Sequence, residues 1–221
     1  MDGANQRFMT GKANWLAGHL IVYNVFSGSA NPYNQGLGTV GTTLPIQQFD
    51  LVKIGAIQME NGGRAKEYDL RALAQRNTGG RTRAINAYFL PWGSGKSYCG
   101  RLGINADYFF TPTLNGCTFV YSDNGPSPSV AHSNFVDPVT TLTDQGAITN
   151  SLNTAFGGAA PPNRLIKTDY KRAPIAGEDY RATVIGIRNG NSWSFYYQNY
   201  QAESLGGGSM THTGLDLCVP I

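Results

Sequence analysis

Apolar positions along this chain fall mostly into short runs and alternations of period two, the signature of strands. Residues 19–26 form a nearly continuous apolar run and predict a buried strand. Residues 51–59 alternate, and 84–90 and 108–110 are further apolar segments read as strands. Phe119, Val120 and Tyr121 make another, followed by 130–135. Residues 181–188 and 193–200 flank Asn189-Gly190, a strong hairpin signal. Helical spacing occurs in two places. One is 67–75, where Leu70, Leu73 and Ala74 share a face before Gly79-Gly80. The other is 144–156, where Ile148, Leu152, Ala155 and Phe156 line up behind Asp144 as N-cap. Gly157 to Pro162 ends that helix and has the composition of a hinge. The stretch 27–43 is rich in Gly, Ser, Thr and Asn and reads as a long loop. Strands outnumber helices and the helices do not alternate regularly with them, which favours an α+β fold over a doubly wound one.

Composition narrows the picture. At 221 residues one domain, 1–221, is the default, long enough to bury a core without staples. Only 14% of residues are charged, while Gly 28, Tyr 12 and Phe 10 suit strands and turns. The net charge is +3, and its basic residues are scattered without a stripe interleaved with aromatics. Nucleic-acid binding is therefore not expected. The chain holds no apolar stretch of the ~20 residues that span a bilayer, so no membrane role is expected. The first 26 residues lack the basic-then-apolar pattern of a standard secretory signal. Cys99, Cys117 and Cys218 have no Cys-x-x-Cys spacing, which argues against zinc, and their odd number against a disulfide scaffold.

The candidate chemistry centres on Cys117. It follows Leu114-Asn115-Gly116, and His132 comes fifteen positions later, after the turn Asp123-Asn124-Gly125-Pro126. Gly116 frees the backbone to turn sharply beside the sulfur. A Cys at the start of one strand and a His on its neighbour can meet across a hairpin. A nearby imidazole is the usual means of generating the reactive thiolate. The competing reading of Cys117 is a buried structural cysteine. His19, in an apolar run, reads as a satisfied core residue, and His212 as an exposed tail residue. Asp123 and Asp137 lie near His132 in sequence and could orient its ring. Gly93-Ser94-Gly95-Lys96-Ser97 lacks the first glycine of a phosphate loop, since Leu90 stands there, and reads as a glycine-rich turn.

The run Asp107-Tyr108-Phe109-Phe110-Thr111-Pro112-Thr113-Leu114-Asn115-Gly116-Cys117 resembles the active-site segment of the bacterial toxin glutamine deamidases. That group includes the cytotoxic necrotizing factor catalytic domain and the Burkholderia lethal factor. Its signature is Leu-Ser-Gly-Cys with a His about a dozen residues on. Phe89-Leu90-Pro91-Trp92 upstream, Asp123 to Pro126 between Cys and His, and a late strand holding Val184 to Ile187 agree with the pattern. The likeness runs from about 88 to 132. The chain departs from it at Asn115, where the family has Ser.

The resemblance implies a β-sandwich core with helices and long loops outside. It implies protein-glutamine deamidation through a Cys-His thioester, in a toxin or effector secreted or injected by a bacterium and acting in a host cytosol. Cys117 would be the nucleophile and His132 its base. Thr111 would orient the imidazole through its backbone carbonyl, while Asn115 and Gly116 support the loop. No metal or organic cofactor is needed. The partner would be a folded host protein, such as a Rho-family GTPase or a translation initiation helicase, and the enzyme a monomer. By their composition alone, the glycine- and serine-rich loops at 28–41 and 206–210 are expected to wall the cleft around Cys117. Transglutamination, cysteine peptidase activity with the same dyad, and a non-catalytic β-rich binding module are the alternatives.

Overall fold

The computed structural model describes residues 3–23, 40–73, 84–140, 142–170, 179–206 and 209–221. In chain order the elements are α1 (Gly3–Leu16), β1 (His19–Val22), β2 (Ile46–Met59), β3 (Arg64–Ala72), β4 (Ile85–Phe89), β5 (Lys96–Arg101), β6 (Tyr108–Phe110), β7 (Thr118–Tyr121) and β8 (Ser129–Asn134). They continue with α2 (Gln145–Ala155), β9 (Asn163–Leu165), α3 (Lys167–Tyr170), β10 (Asp179–Asn189), β11 (Ser192–Gly206) and β12 (Ser209–Pro220). The class is α+β, with mixed sheets and few short helices.

The larger sheet runs β1-β3-β2-β12-β11-β10-β6-β4. It curls back on itself, because the start of β2 pairs with β4 while its end, at Gln58 and Met59, pairs with β12. The smaller sheet, β5-β8-β7-β9, is antiparallel throughout. Side chains alternate across each strand, so successive residues feed different cores. Tyr108 and Phe110 pack toward α1, beside Phe8, Leu16, Ile185 and Ile187. Phe109 and Val184 point the other way, into a core shared with Phe119, Tyr121 and Val130 of the small sheet. Burial on both faces is why β6 reads as an unbroken apolar run. The outer face of the small sheet, with Cys99, Val120 and Ala131, is covered by Ile148 and Leu152 of α2. A hydroxyl chain also fastens α2 there: Ser151 Oγ donates to Ser97 Oγ at 2.8 Å, which lies 2.6 Å from Ser133 Oγ.

Several sequence expectations change. Residues 67–75 do not form a helix; 64–72 are strand β3, paired along β2, and 74–83 lie outside the described residues. Glu, Leu, Arg and Ala give this stretch helical propensity. The ladder to β2 overrides it, with Ala65, Tyr68 and Leu70 buried. The predicted strand at 19–26 is a strand at His19–Val22, and 24–26 lie outside the described residues, as does 27–39 of the long loop. Helix α1 was not foreseen: three glycines in its neighbourhood dilute the apolar stripe, and the chain kinks at Lys12, φ +45°. The hairpin between β10 and β11 forms, with Asn189 facing Ser192, so the turn sits on Gly190 and Asn191, one residue later than expected. The segment after α2 is tied down rather than free as a hinge. Gly157 takes φ +77°, Gly158 N–H donates to the Asn153 carbonyl, and Ala160 N–H to Asn153 Oδ1.

Candidate active site

The turn carrying Cys117 is pinned before the sulfur is reached. Leu114 exchanges two backbone hydrogen bonds with Ala182 of β10, at 2.7 and 3.0 Å. Gly116 then adopts φ +85°, where an L side chain is strained. A Cβ there would stand 2.5 Å from Thr143 Oγ1, so glycine is required for space as well as conformation. What approaches Gly116 is the chain's own Thr143, whose hydroxyl in turn accepts from Lys167 Nζ at 3.1 Å. From the other side, the Tyr170 hydroxyl accepts from the Gly116 N–H and donates to the Cys117 carbonyl, both at 2.9 Å.

Cys117 is 2% exposed and lines the core between the sheets. Burial pushes its thiol up to about 11. The Asn115 backbone N–H, the Trp92 indole N–H and the Lys167 charge oppose that shift. The indole N–H finds no hydrogen-bond partner within bonding geometry among the described residues. His132, on β8, is 1% exposed, and burial drives its imidazole down to about 3. At rest the site therefore holds a thiol and a neutral imidazole.

The register relates the two groups. Phe119 faces His132, and Thr118 faces Ser133. One step further along the ladder sets Cys117 opposite Asn134, diagonal to His132 on the same inward face. Such diagonal neighbours lie about 7–8 Å apart at Cα, within reach of longer side chains. Thr111, buried just past the end of β6, places its Oγ1 2.7 Å from His132 Nδ1. The opposite ring nitrogen, Nε2, is buried without a hydrogen-bond partner among the described residues. Sulfur and imidazole are thus not hydrogen-bonded to each other at rest.

The group at Nδ1 is the Thr111 hydroxyl, where the resemblance implied the Thr111 backbone carbonyl. Neither carboxylate alternative serves. Asp137 accepts from the Val139 and Thr140 N–H groups of its own loop, and Asp123 from Gly125 N–H and Ser122 Oγ. Asn115 is exposed and contributes its backbone N–H toward the sulfur. His19 is half-buried, stacked on Trp15 at 3.9 Å with Nδ1 2.6 Å from the Trp15 carbonyl. His212 is not an exposed tail residue: strand β12 brings it against Glu67, to which its Nδ1 is bonded, with 6% of the side chain exposed. Gly93 to Ser97 turns into strand β5 rather than a helix, unlike a phosphate loop. Of the expected cleft walls, 28–39 and 207–208 lie outside the described residues.

The sequence reading missed Lys167 and Tyr170, both from α3, and Thr143. A four-residue helix has no periodicity to detect, and nothing local in the sequence links α3 to the Gly116 turn. Thr143 and Lys167 also border a cleft of about 480 Å³, lined further by Leu142, Thr149, Arg164 and Ile166. The same two side chains are the nearest neighbours of a Cβ placed on Gly116.

No family model matches the chain, and no curated protein matches it. Among solved structures it is similar to the C-terminal domain of CNFy from Yersinia pseudotuberculosis, at 10% sequence identity and a TM-score of 0.35, covering 81% of this chain and 92% of that one. No helix among the described residues is long and apolar enough to cross a membrane.

Proposed function

We propose that this chain is a protein-glutamine deamidase with Cys117 as nucleophile and His132 as general acid and base. One observation carries the reading. The His132 ring is fixed at Nδ1 by Thr111, while its Nε2 lies buried and unpartnered on the face that Cys117 shares. A buried ring nitrogen left without a partner is costly, and a partner at Nε2 would relieve that cost. With the proton on Nδ1, donated to Thr111 Oγ1, Nε2 presents a lone pair that can accept a proton. The Leu-x-Gly-Cys turn and following His, in a segment resembling the toxin deamidases, turn this dyad toward a side-chain carboxamide.

Because thiol and imidazole are both neutral at rest, proton transfer accompanies attack. Nε2 takes the thiol proton as sulfur bonds to the carboxamide carbon, and the carbonyl oxygen becomes an oxyanion. The Cys117 backbone N–H is its natural donor. The imidazolium then protonates the amide nitrogen, the C–N bond breaks, ammonia leaves and a thioester remains. His132 removes a proton from water, which attacks the thioester. Collapse returns the proton to sulfur and releases glutamate. Every step uses side chains and water. The substrate is a folded host protein, with Rho-family GTPases and a translation initiation helicase as candidates by resemblance. The enzyme, a monomer, would be secreted or injected by a bacterium and act in the host cytosol.

The experiment exposes a native host-cell lysate to the wild-type protein and to Cys117→Ala, then reads Gln-to-Glu conversion by peptide mass spectrometry. Conversion with the wild type alone, without new N-termini, supports deamidation. New N-termini would indicate a peptidase, amine incorporation a transglutaminase. Identical samples would leave Cys117 a structural cysteine.

A further inference from the structure

Helix α3 brings both Lys167 and Tyr170, three residues apart and so neighbours on the helix surface, to the Gly116-Cys117 turn. Tyr170 is completely buried. One phenol oxygen there meets two backbone groups that bracket the nucleophile: the N–H entering at Gly116 and the carbonyl leaving at Cys117. The backbone torsions between those groups, at Gly116 and Cys117, are thereby held from both ends. They determine where the Cα–Cβ bond of Cys117 points and how the peptide between the two residues is turned. That peptide carries the Cys117 N–H, the donor assigned above to the oxyanion. A tyrosine in this place does more than fill space, since both backbone groups would otherwise be buried without partners.

We propose that Tyr170 is a positioning residue for Cys117, fixing the direction of the sulfur and of the Cys117 N–H through its hydroxyl. The inference rests on Cys117 being the reactive cysteine, and deepens that reading. It also explains why the thiol stays inside: the clamp keeps the turn folded against the core between the sheets, under the Thr143–Lys167 hydrogen bond.

The test compares wild type with Tyr170→Phe, using iodoacetamide alkylation across pH and amide hydrogen exchange by NMR. Cys99 is the internal control. It is fully buried in the same small sheet, and burial raises its thiol to about 11, as for Cys117. Loss of the hydroxyl should release the turn. Alkylation of Cys117 should then accelerate about tenfold or more, with its pH midpoint moving down toward an ordinary thiol, while Cys99 is unchanged. Gly116 N–H exchange should accelerate in parallel, with β7 and β8 amides still protected. Equal change at both cysteines, or at neither, would overturn the proposal. Should Tyr170→Phe fail to fold, wild type alone decides: slow Gly116 N–H exchange supports the clamp, and exchange at the rate of an exposed loop amide refutes it. Deamidation by the lysate assay is scored separately. A clamp without activity would leave Tyr170 in place and remove the catalytic reading instead.

Discussion

Cys117 and His132 each contribute one nearly inaccessible atom, so substitutions there should act on chemistry far more than on the surface. His132→Ala should cost a factor of roughly 10²–10⁴ in deamidation rate, the range of a positioned acid–base group. Thr111→Val should lower the rate and Thr111→Ser restore it, because the hydroxyl and not the carbonyl meets Nδ1. Equal rates for Val and Ser would contradict that assignment. Asn115→Ser should retain most activity, since an exposed side chain lends only its backbone N–H. Gly116→Ala combines a positive φ with contact against Thr143 Oγ1, and should destabilise by about 1–3 kcal/mol. In thermal melts, the added change Thr143→Ala should recover the contact part but not the conformational part. Full recovery would mean that φ costs nothing there. The residues legible beforehand were those whose chemistry is rare in the chain, one of three cysteines and one of three histidines, together with Gly116 just before the cysteine. Lys167, Thr143 and Tyr170 were not, because each reaches the site through a tertiary contact that leaves no local pattern.

Elements were legible in proportion to how much local geometry dictated them. The hairpin of β10 and β11 follows from glycine at positive φ, and α2 from its cap and apolar face. Asp144 Oδ1 accepts the Ala147 N–H at 2.9 Å, so Asp144→Ala should cost about 1 kcal/mol of stability in denaturant unfolding. An unchanged midpoint would show that the cap contributes nothing. The strand at Arg64–Ala72 was misread because its residues favour a helix in isolation and take strand form only against β2. Strand β12 was missed as well. It pairs antiparallel with β11, its neighbour in the chain, and parallel with β2, far from it in sequence, and that second pairing leaves no local pattern.

At the scale of the molecule, the two sheets bury the candidate dyad in the core they share, and that burial ties stability to pH. His132 titrates near 6.5 when unfolded and near 3 when folded. The unfolded chain therefore binds the extra proton in that window, so stability is full above about 6.5 and is lost as pH falls toward 3. Cys117 works in the other direction. Its thiol is raised from 9.0 to about 11, so the folded state holds the proton longer and stability declines as pH rises through that interval. Melting temperature against pH should show both slopes. His132→Gln should flatten the acid one and Cys117→Ala the alkaline one; slopes unchanged by either substitution would mean these groups are not buried as described. The same burial sets the order in which the thiols should react. Cys218 is the more exposed thiol and should be alkylated ahead of Cys117 in the free protein. The α+β class was readable from strand patterns that outnumber the helical ones without regular interleaving. The curl of the large sheet was not, since closure depends on one strand offering a single edge to two partners.

The central claim is that the buried Cys117–His132 pair converts glutamine side chains of a folded protein to glutamate. It is tested most directly by peptide mass spectrometry of a native host lysate and a heat-denatured one, each treated with wild type and with Cys117→Ala. The account predicts Gln-to-Glu conversion at a restricted site, in the native lysate, with the wild-type protein only. Conversion that survives Cys117→Ala, or that spreads over many glutamines equally in native and denatured lysate, would contradict it.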